Sequence, residues 1–190
     1  MLKNNKQYEI RLLTTDDLKQ ITDLYAAIKR DGFTVWDADY PSDDLVRFDI
    51  ARNGLYGVFD GCDLVAVCFA GQRCEDNEEG FMWREIFNKR GTFARLGVLP
   101  NYQHQGFATM LVKYVLLQLK QKDYDGVRIM VDIRNVNAIN LYTKLGFFNC
   151  GEVERFGQRY YLLELRLYET IKLLRLKWLL RGGVVRCRVE

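Results

Sequence analysis

The sequence predicts an α/β domain built on one mixed sheet covered by helices. Three observations predict it. Strand-like and helix-period stretches alternate in the order β-α-α-β-β-β-α-β-α-β-β. A hairpin signal, two apolar strands around Asp60-Gly61, sits in the first half of the chain. The strand–helix–strand stretch over 93–132 is long enough for a right-handed parallel crossover.

Taken in order, "YEIRLL" at 8–13 reads as a first strand. A helix follows, with Thr14 or Thr15 available as its cap and Leu18, Ile21, Leu24, Tyr25 and Ile28 on one face. "GFTVWDADYPS" at 32–42 is a loop rich in aromatics and acids, and Ser42 then caps a second helix that stops near Gly54. After the hairpin, residues 72–92 mix charges and aromatics without a period and read as an irregular loop. "TFARLGV" is the next strand, and Gly106 opens a strong helix that runs to about Lys122. "GVRIMVDI" at 126–133 is a strand. "NVNAINLYTKLG" places Ala138, Leu141, Tyr142 and Leu145 on one helical face, with Gly146 as its stop. Two last strands flank Phe156-Gly157.

Composition narrows the function classes. Apolar residues make up 48% and aromatics 13%, the signature of a folded core and not of a disordered chain. Residues 168–190 carry six Lys or Arg against two Glu, so the other residues sum to about −1. The body therefore gives no electrostatic case for nucleic acid. His104 is the only histidine and the five cysteines form no CxxC pair, which argues against a zinc site. The odd cysteine count and the lack of a leader fit a reducing cytoplasm, and no run of about 18 apolar residues suggests membrane insertion. A Rossmann reading fails because no GxGxxG follows a strand, and a Walker A motif is missing.

The stretch "LGVLPNYQHQGFATMLVKYVLL", 96–117, carries the chemistry. Gly106 permits close approach of a ligand to the backbone, and the helix that begins there presents unpaired N–H groups. The amides from Gln103 to Ala108 can form an anion cradle, helped by the helix dipole, that suits a pyrophosphate. An ordinary strand–turn–helix connection is the alternative.

Gln103-His104-Gln105-Gly106-Phe107-Ala108 resembles the acyl-CoA signature Arg/Gln-x-x-Gly-x-Gly/Ala of the GNAT acetyltransferase superfamily, after a strand, Leu96-Gly97-Val98, that is also similar. Asn135 to Phe147 resembles the superfamily's Asn-x-x-Ala-x-x-Leu-Tyr-x-x-x-Gly-Phe. The resemblance covers roughly residues 7–167 and is to a bacterial small-amine or peptide-type member. It implies a mostly antiparallel sheet with a splayed parallel strand pair, flanking helices, and acetyl-CoA as cofactor. It places the backbone of Leu96, Gly97 and Val98 along the pantetheine arm, and the amides of Gln103, His104, Gln105, Gly106, Phe107 and Ala108 on the pyrophosphate. Asn135 lies near the cofactor arm and Tyr142 is the acid that protonates the leaving thiolate. The alternative for Tyr142 is a core aromatic.

The general base is left open. Glu85 is the carboxylate singled out, against the reading that the acids of 75–85 form a solvated surface. The strand before the cradle carries Arg95 and no carboxylate, which departs from the family pattern. His104 sits in the phosphate loop and not where an amine would lie. The segment "WDADYP" resembles a bacterial subgroup in which Trp36 and Tyr40 would wall the acceptor cleft; buried core aromatics are the alternative. The domain assignment is 1–167 as the acetyltransferase and 168–190 as a basic amphipathic helix that packs on the body, forms a homodimer or rests on an anionic surface. The expected function is acetyl transfer to a small-molecule or peptide amine. A catalytically idle CoA-binding module and a small interaction protein led by its tail are the alternatives.

Overall fold

The computed structural model describes residues 7–32, 34–72, 81–167, 179–181 and 184–187. They form two compact units. The first contains the described residues up to Phe69, Arg95–Val115 and the last two strands; the second contains the described residues of 70–94 and 116–167.

In the first unit, strand β1 (Tyr8–Leu12) leads through a single 3-10 turn into helix α1 (Leu18–Asp31), and helix α2 (Asp43–Ala51) follows. Thr14 is the cap: its hydroxyl accepts from the Asp16 N–H, while the Asp17 carboxylate accepts from the Thr14 N–H at 2.9 Å. Ser42 caps α2 through the Leu45 N–H, as its sequence position predicts. Strands β2 (Leu55–Asp60) and β3 (Asp63–Gln72) make the expected hairpin, with Gly61 in its turn at φ +64°. With the last two strands, β8 (Leu179–Arg181) and β9 (Val184–Cys187), the order is β3-β2-β1-β9-β8, antiparallel throughout, with Ile10 opposite Val58 and Gly57 opposite Val67.

Strands β8 (Leu179–Arg181) and β9 (Val184–Cys187) replace the end of the expected tail helix and the frayed residues after it. Ile10 of β1 pairs with Val185. "VRCRV" from Val185 alternates apolar and charged residues, a period of two that suits a strand, and an open edge of β1 supplies the partner. Residues 168–178, where most of the helical stripe was expected, lie outside the described residues.

In the second unit, strand β5 (Gly126–Asp132) is buried at every position except Met130, the pattern of a strand covered on both faces. It pairs antiparallel with β7 (Gln158–Arg166), which forms a hairpin with β6 (Phe148–Arg155). On its other side it runs parallel to the start of β4 (Arg90–Val98), registering at Arg90↔Gly126 and Gly91↔Val127. Helix α3 (Phe107–Gln121) precedes β5, and helix α4 (Val136–Lys144) stands between β5 and β6. The mixed sheet, its parallel pair and the flanking helices are those the sequence predicts. Among the described residues, no helix is long and apolar enough to cross a membrane.

Candidate functional site

Strand β4 ends in Leu96, Gly97 and Val98, and a single 3-10 turn over Pro100–Tyr102 turns the chain toward α3. His104 at φ +57° and Gly106 at φ +90° are left-handed, the kind of interruption from which amide nests are built. The first helical hydrogen bond runs from the Met110 N–H to the Gly106 carbonyl at 2.9 Å. The N–H groups of Phe107, Ala108 and Thr109 precede it and have no carbonyl behind them within the helix. His104, Gln105 and Gly106 are exposed, so the backbone there is open to a ligand. No carboxylate occurs between Glu85 and Asp123. Amide donors, a helix N-terminus and no acid in the loop fit an anionic diphosphate.

The loop is held from behind. Phe107 is 1% exposed and packs edge-on against Tyr8 (ring centroids 4.8 Å apart) and Tyr102 (5.5 Å). The Tyr102 hydroxyl donates to the Asp60 carboxylate at 3.0 Å. The side chains of Gln103 and Gln105 turn back on the chain: Gln103 Nε2 donates to the Val98 carbonyl at 3.3 Å, and Gln105 Nε2 to the Asn101 carbonyl at 2.7 Å. The loop's amide side chains therefore brace its shape, and its main chain is left to meet the ligand.

A second constellation surrounds Arg95, which has φ +54° within β4. Its guanidinium forks onto Asp49 of α2, with Nε–Oδ2 at 2.6 Å and Nη2–Oδ1 at 2.8 Å. Asp49 is 1% exposed. Burial pushes its carboxyl above the ordinary value against the pull of Arg95. The Tyr40 hydroxyl accepts from Arg95 Nη1 at 3.4 Å, and the guanidinium lies 4.7 Å from the centroid of the Phe69 ring. Burial holds the Tyr25 phenol well above its usual pKa, and it donates to the Arg95 carbonyl at 3.1 Å. Trp36 packs edge-on between Tyr25 (5.5 Å) and Tyr40 (6.0 Å), and both Trp36 and Tyr40 are half-buried. A Cβ at Gly97 would lie 3.6 Å from the Trp36 ring, so the segment predicted as an acceptor wall rests against the strand predicted for pantetheine.

Asp49 escaped the sequence reading, and Tyr25 was read only as a residue of the apolar helix face, not as a partner of Arg95. The signal for Asp49 was available: it shares the buried helix face of Val46 and Ile50, where a carboxylate needs a partner. Its partner lies far along the chain, in β4.

In the second unit, the Asn135 side chain caps α4 by accepting from the Ala138 N–H at 3.1 Å. Tyr142 is 7% exposed, its ring edge-on to Phe93 at 5.2 Å and tilted against Phe147 at 5.8 Å. Aromatic packing thus fixes the ring, whatever its hydroxyl does. Glu85 pairs with Arg166, and that hydrogen bond holds its carboxyl below the ordinary value. A carboxylate held in this way is a weaker base, the wrong direction for the role the sequence suggested.

The model of the acetyltransferase (GNAT) family matches residues 19–147. Over 75 residues the chain is 34% identical to N-alpha-acetyltransferase 30 of Xenopus laevis, a match covering 40% of this chain and 27% of that protein. The match thus spans about a quarter of that curated relative's length. The paia N-acetyltransferase of Thermoplasma acidophilum, solved in complex with coenzyme A, has a TM-score of 0.64 at 18% identity, covering 84% of this chain and 98% of that one. The ribosomal-protein-S18-alanine N-acetyltransferase of Escherichia coli has a TM-score of 0.65 at 16% identity, covering 84% and 94%. At these identities the solved structures speak to the fold alone. The family model spans the end of β4, the loop before α3 and the whole of α4: the chain belongs to the acetyltransferase (GNAT) family.

Proposed function

We propose that this protein is an acetyl-CoA-dependent N-acetyltransferase that moves an acetyl group to a primary amine by direct attack in a ternary complex. The observation that carries the reading is the loop over Gln103–Ala108: exposed at His104, Gln105 and Gly106, left-handed at His104 and Gly106, free of acids, and opening onto a helix N-terminus. Its amides hold the cofactor's diphosphate, and the backbone of Leu96, Gly97 and Val98 holds the pantetheine arm. Acetyl-CoA, when bound, supplies an activated thioester. The coenzyme A in the Thermoplasma structure supports the assignment.

The chain's own contribution is alignment and polarisation. A main-chain N–H near Val98 polarises the acyl carbonyl. Tyr142, whose ring is already immobilised by Phe93 and Phe147, donates its phenolic proton to the leaving thiolate. Asn135 orients the start of α4. Trp36 and Tyr40 wall the amine's approach, and solvent water removes the amine proton, since Glu85 is tied to Arg166 and Asp49 to Arg95. Holding both partners in line supplies much of the acceleration in such a reaction, so a modest acid suffices. The acceptor is a primary amine on a small molecule or a peptide.

Calorimetric titration with acetyl-CoA and desulfo-CoA tests the cradle. Saturable micromolar binding is expected, weakened by Gly106→Trp at least about tenfold, or about 1.4 kcal/mol. A folded, CoA-free protein that binds neither refutes the reading. Thiol release is then followed with a panel of polyamines, arylalkylamines and short peptides bearing free α-amines. Binding without release for any of them supports the alternative, a catalytically idle CoA-binding module.

A further inference from the structure

We propose that Arg95 and Asp49 are positioning residues for acetyl transfer. Together they hold strand β4 turned at Arg95 and tie it to the Trp36–Tyr40 segment, so that the acceptor wall and the cofactor strand keep one geometry. The proposal rests on the reading of Leu96–Val98 as the pantetheine strand.

The backbone observation comes first. A left-handed arginine inside a strand is unfavourable for any residue with a Cβ, and such conformations persist where the surroundings over-determine them. Here they do so from four elements. Helix α1 supplies the Tyr25 hydroxyl to the Arg95 carbonyl, and α2 supplies the Asp49 fork. The segment between those helices supplies the Tyr40 hydroxyl, and β3 supplies the Phe69 face.

The consequence for the next residues is geometric. The φ of Arg95 sets the direction in which the N–H and C=O groups of Leu96, Gly97 and Val98 point, and those are the groups assigned to the acyl and pantetheine portions. The same guanidinium reaches Tyr40, and two residues later the bare Gly97 backbone lies beneath Trp36. Two contacts thus join the acceptor wall to the strand, one through Arg95 and one beside it. Asp49 is too buried to touch an amine, so its part is played through Arg95. The fork matters as well as the charge, because a planar guanidinium held at two points cannot swing.

The test uses the full chain. Asp49→Asn, Arg95→Lys and Arg95→Gly are compared with wild type for acetyl-CoA affinity by calorimetry and for melting temperature. Their kcat and both KM values are read with whichever amine of the panel the wild type acetylates fastest. The expected result is a kcat lowered about 10–100-fold in all three, with acetyl-CoA affinity within about threefold of wild type. The double variant Asp49→Asn/Arg95→Gly is expected to be no slower than the slower single, since a unit lost once is not lost again. Full activity in Arg95→Lys, which keeps the charge without the fork, overturns the proposal. So does full activity in Arg95→Gly, which relieves the backbone strain without the fork. Lower melting temperatures with unchanged kcat and KM reduce the pair to a structural role and overturn it too. Should a variant not fold, Tyr40→Phe is the readout: it removes the hydroxyl on Arg95 from a half-buried ring. It is expected to raise the amine KM and lower kcat while leaving the acetyl-CoA KM unchanged, and unchanged kinetics refute the link. A wild type that binds no acetyl-CoA, or acetylates no amine, refutes the functional reading first and this one with it. An active wild type with indistinguishable variants refutes the positioning role alone.

Discussion

At Gly97 strand β4 packs against helix α1, and Gly97→Ala measures how tightly the two are packed. An added Cβ would stand 2.6 Å from Ile28 Cδ1, 3.5 Å from Leu24 Cδ2 and 3.6 Å from Trp36 Cη2. Carbon atoms rest at about 3.5–4.0 Å, so the Leu24 and Trp36 contacts are ordinary and the Ile28 contact is short by about 1 Å. Ile28 is 6% exposed and cannot retreat into solvent. Overpacking of this kind costs about 1–3 kcal/mol, and the loss of glycine freedom in the unfolded chain returns about 0.4–1 kcal/mol. The net expectation is a destabilisation of about 1–2 kcal/mol, or roughly 2–8 °C in Tm for a chain of this size. Ile28→Val removes the offending Cδ1 at a cost of about 0.5–1.5 kcal/mol of its own. The double variant should therefore fall close to Ile28→Val alone, giving a coupling energy of about 1–2 kcal/mol. Urea unfolding of the four proteins, with midpoints compared at constant m, reads it directly. Effects that add to within about 0.5 kcal/mol would mean that Ile28 does not meet the new methyl group and that this description of the strand–helix contact is wrong.

Two other expectations concern charge and the irregular segment. Gly126→Ala would place a Cβ 2.3 Å from the Phe87 ring, so it should displace that ring and cost about 1–3 kcal/mol in urea unfolding, and a neutral effect would show that the segment carrying Phe87 is not seated on β5. Asp17 is held below its ordinary pKa, chiefly by hydrogen bonds from Arg11, with Oδ1 at 2.7 Å and Oδ2 at 2.8 Å. Because its folded pKa lies below its unfolded value near 4, its contribution is fully present above about pH 4 and is lost as pH falls through the folded pKa. Asp17→Asn should cost about 1–2 kcal/mol at pH 7 and progressively less below pH 4, and an equal cost at pH 7 and pH 3 would remove the ion pair from the account.

Periodicity made most of the framework legible. The faces of α1 and α4 and both hairpins follow from spacing alone, because each buries one side against its own neighbours. What the spacing did not show depended on distant partners. Strand β4 begins at Arg90, before the apolar run that marked it, because Arg90 and Gly91 are recruited by β5. Strand β9 carries an alternating pattern too short to stand alone; the edge of β1 makes it a strand, and β8 pairs in turn with β9. Glu85 was singled out for its chemistry and its place in the chain, yet its basicity is set by Arg166, far along the sequence on β7. Tyr40 and Trp36 were chosen from a local motif, and their relation to Arg95 and Gly97 appears only in three dimensions.

The same physical problem explains where the buried charges lie. A buried ion pair is weak support for stability, because two ions leave water to form it and an apolar pair of equal volume often does as well. An irregular segment laid on a core poses a different demand, since its N–H and C=O groups have no ladder or helix to satisfy them. In the second unit, Arg128 donates to the Glu85 carbonyl at 2.5 Å and Glu164 accepts from the Glu85 N–H at 3.0 Å. Asp125 accepts from the Asn88 and Lys89 N–H groups at 2.8 and 3.0 Å. In the first unit, Lys29 donates at the surface to the Ala38 carbonyl at 2.9 Å, and Arg95, itself gripped by the buried Asp49, reaches Tyr40. Apolar substitutes could fill the same volumes, but they would leave those loop groups unpaired. The charges are placed where irregular chain must be pinned. In the first unit the pinned chain is the wall of the proposed acceptor site, so the residues that satisfy its backbone and hold its tyrosine are also those on which alignment of an incoming amine would depend.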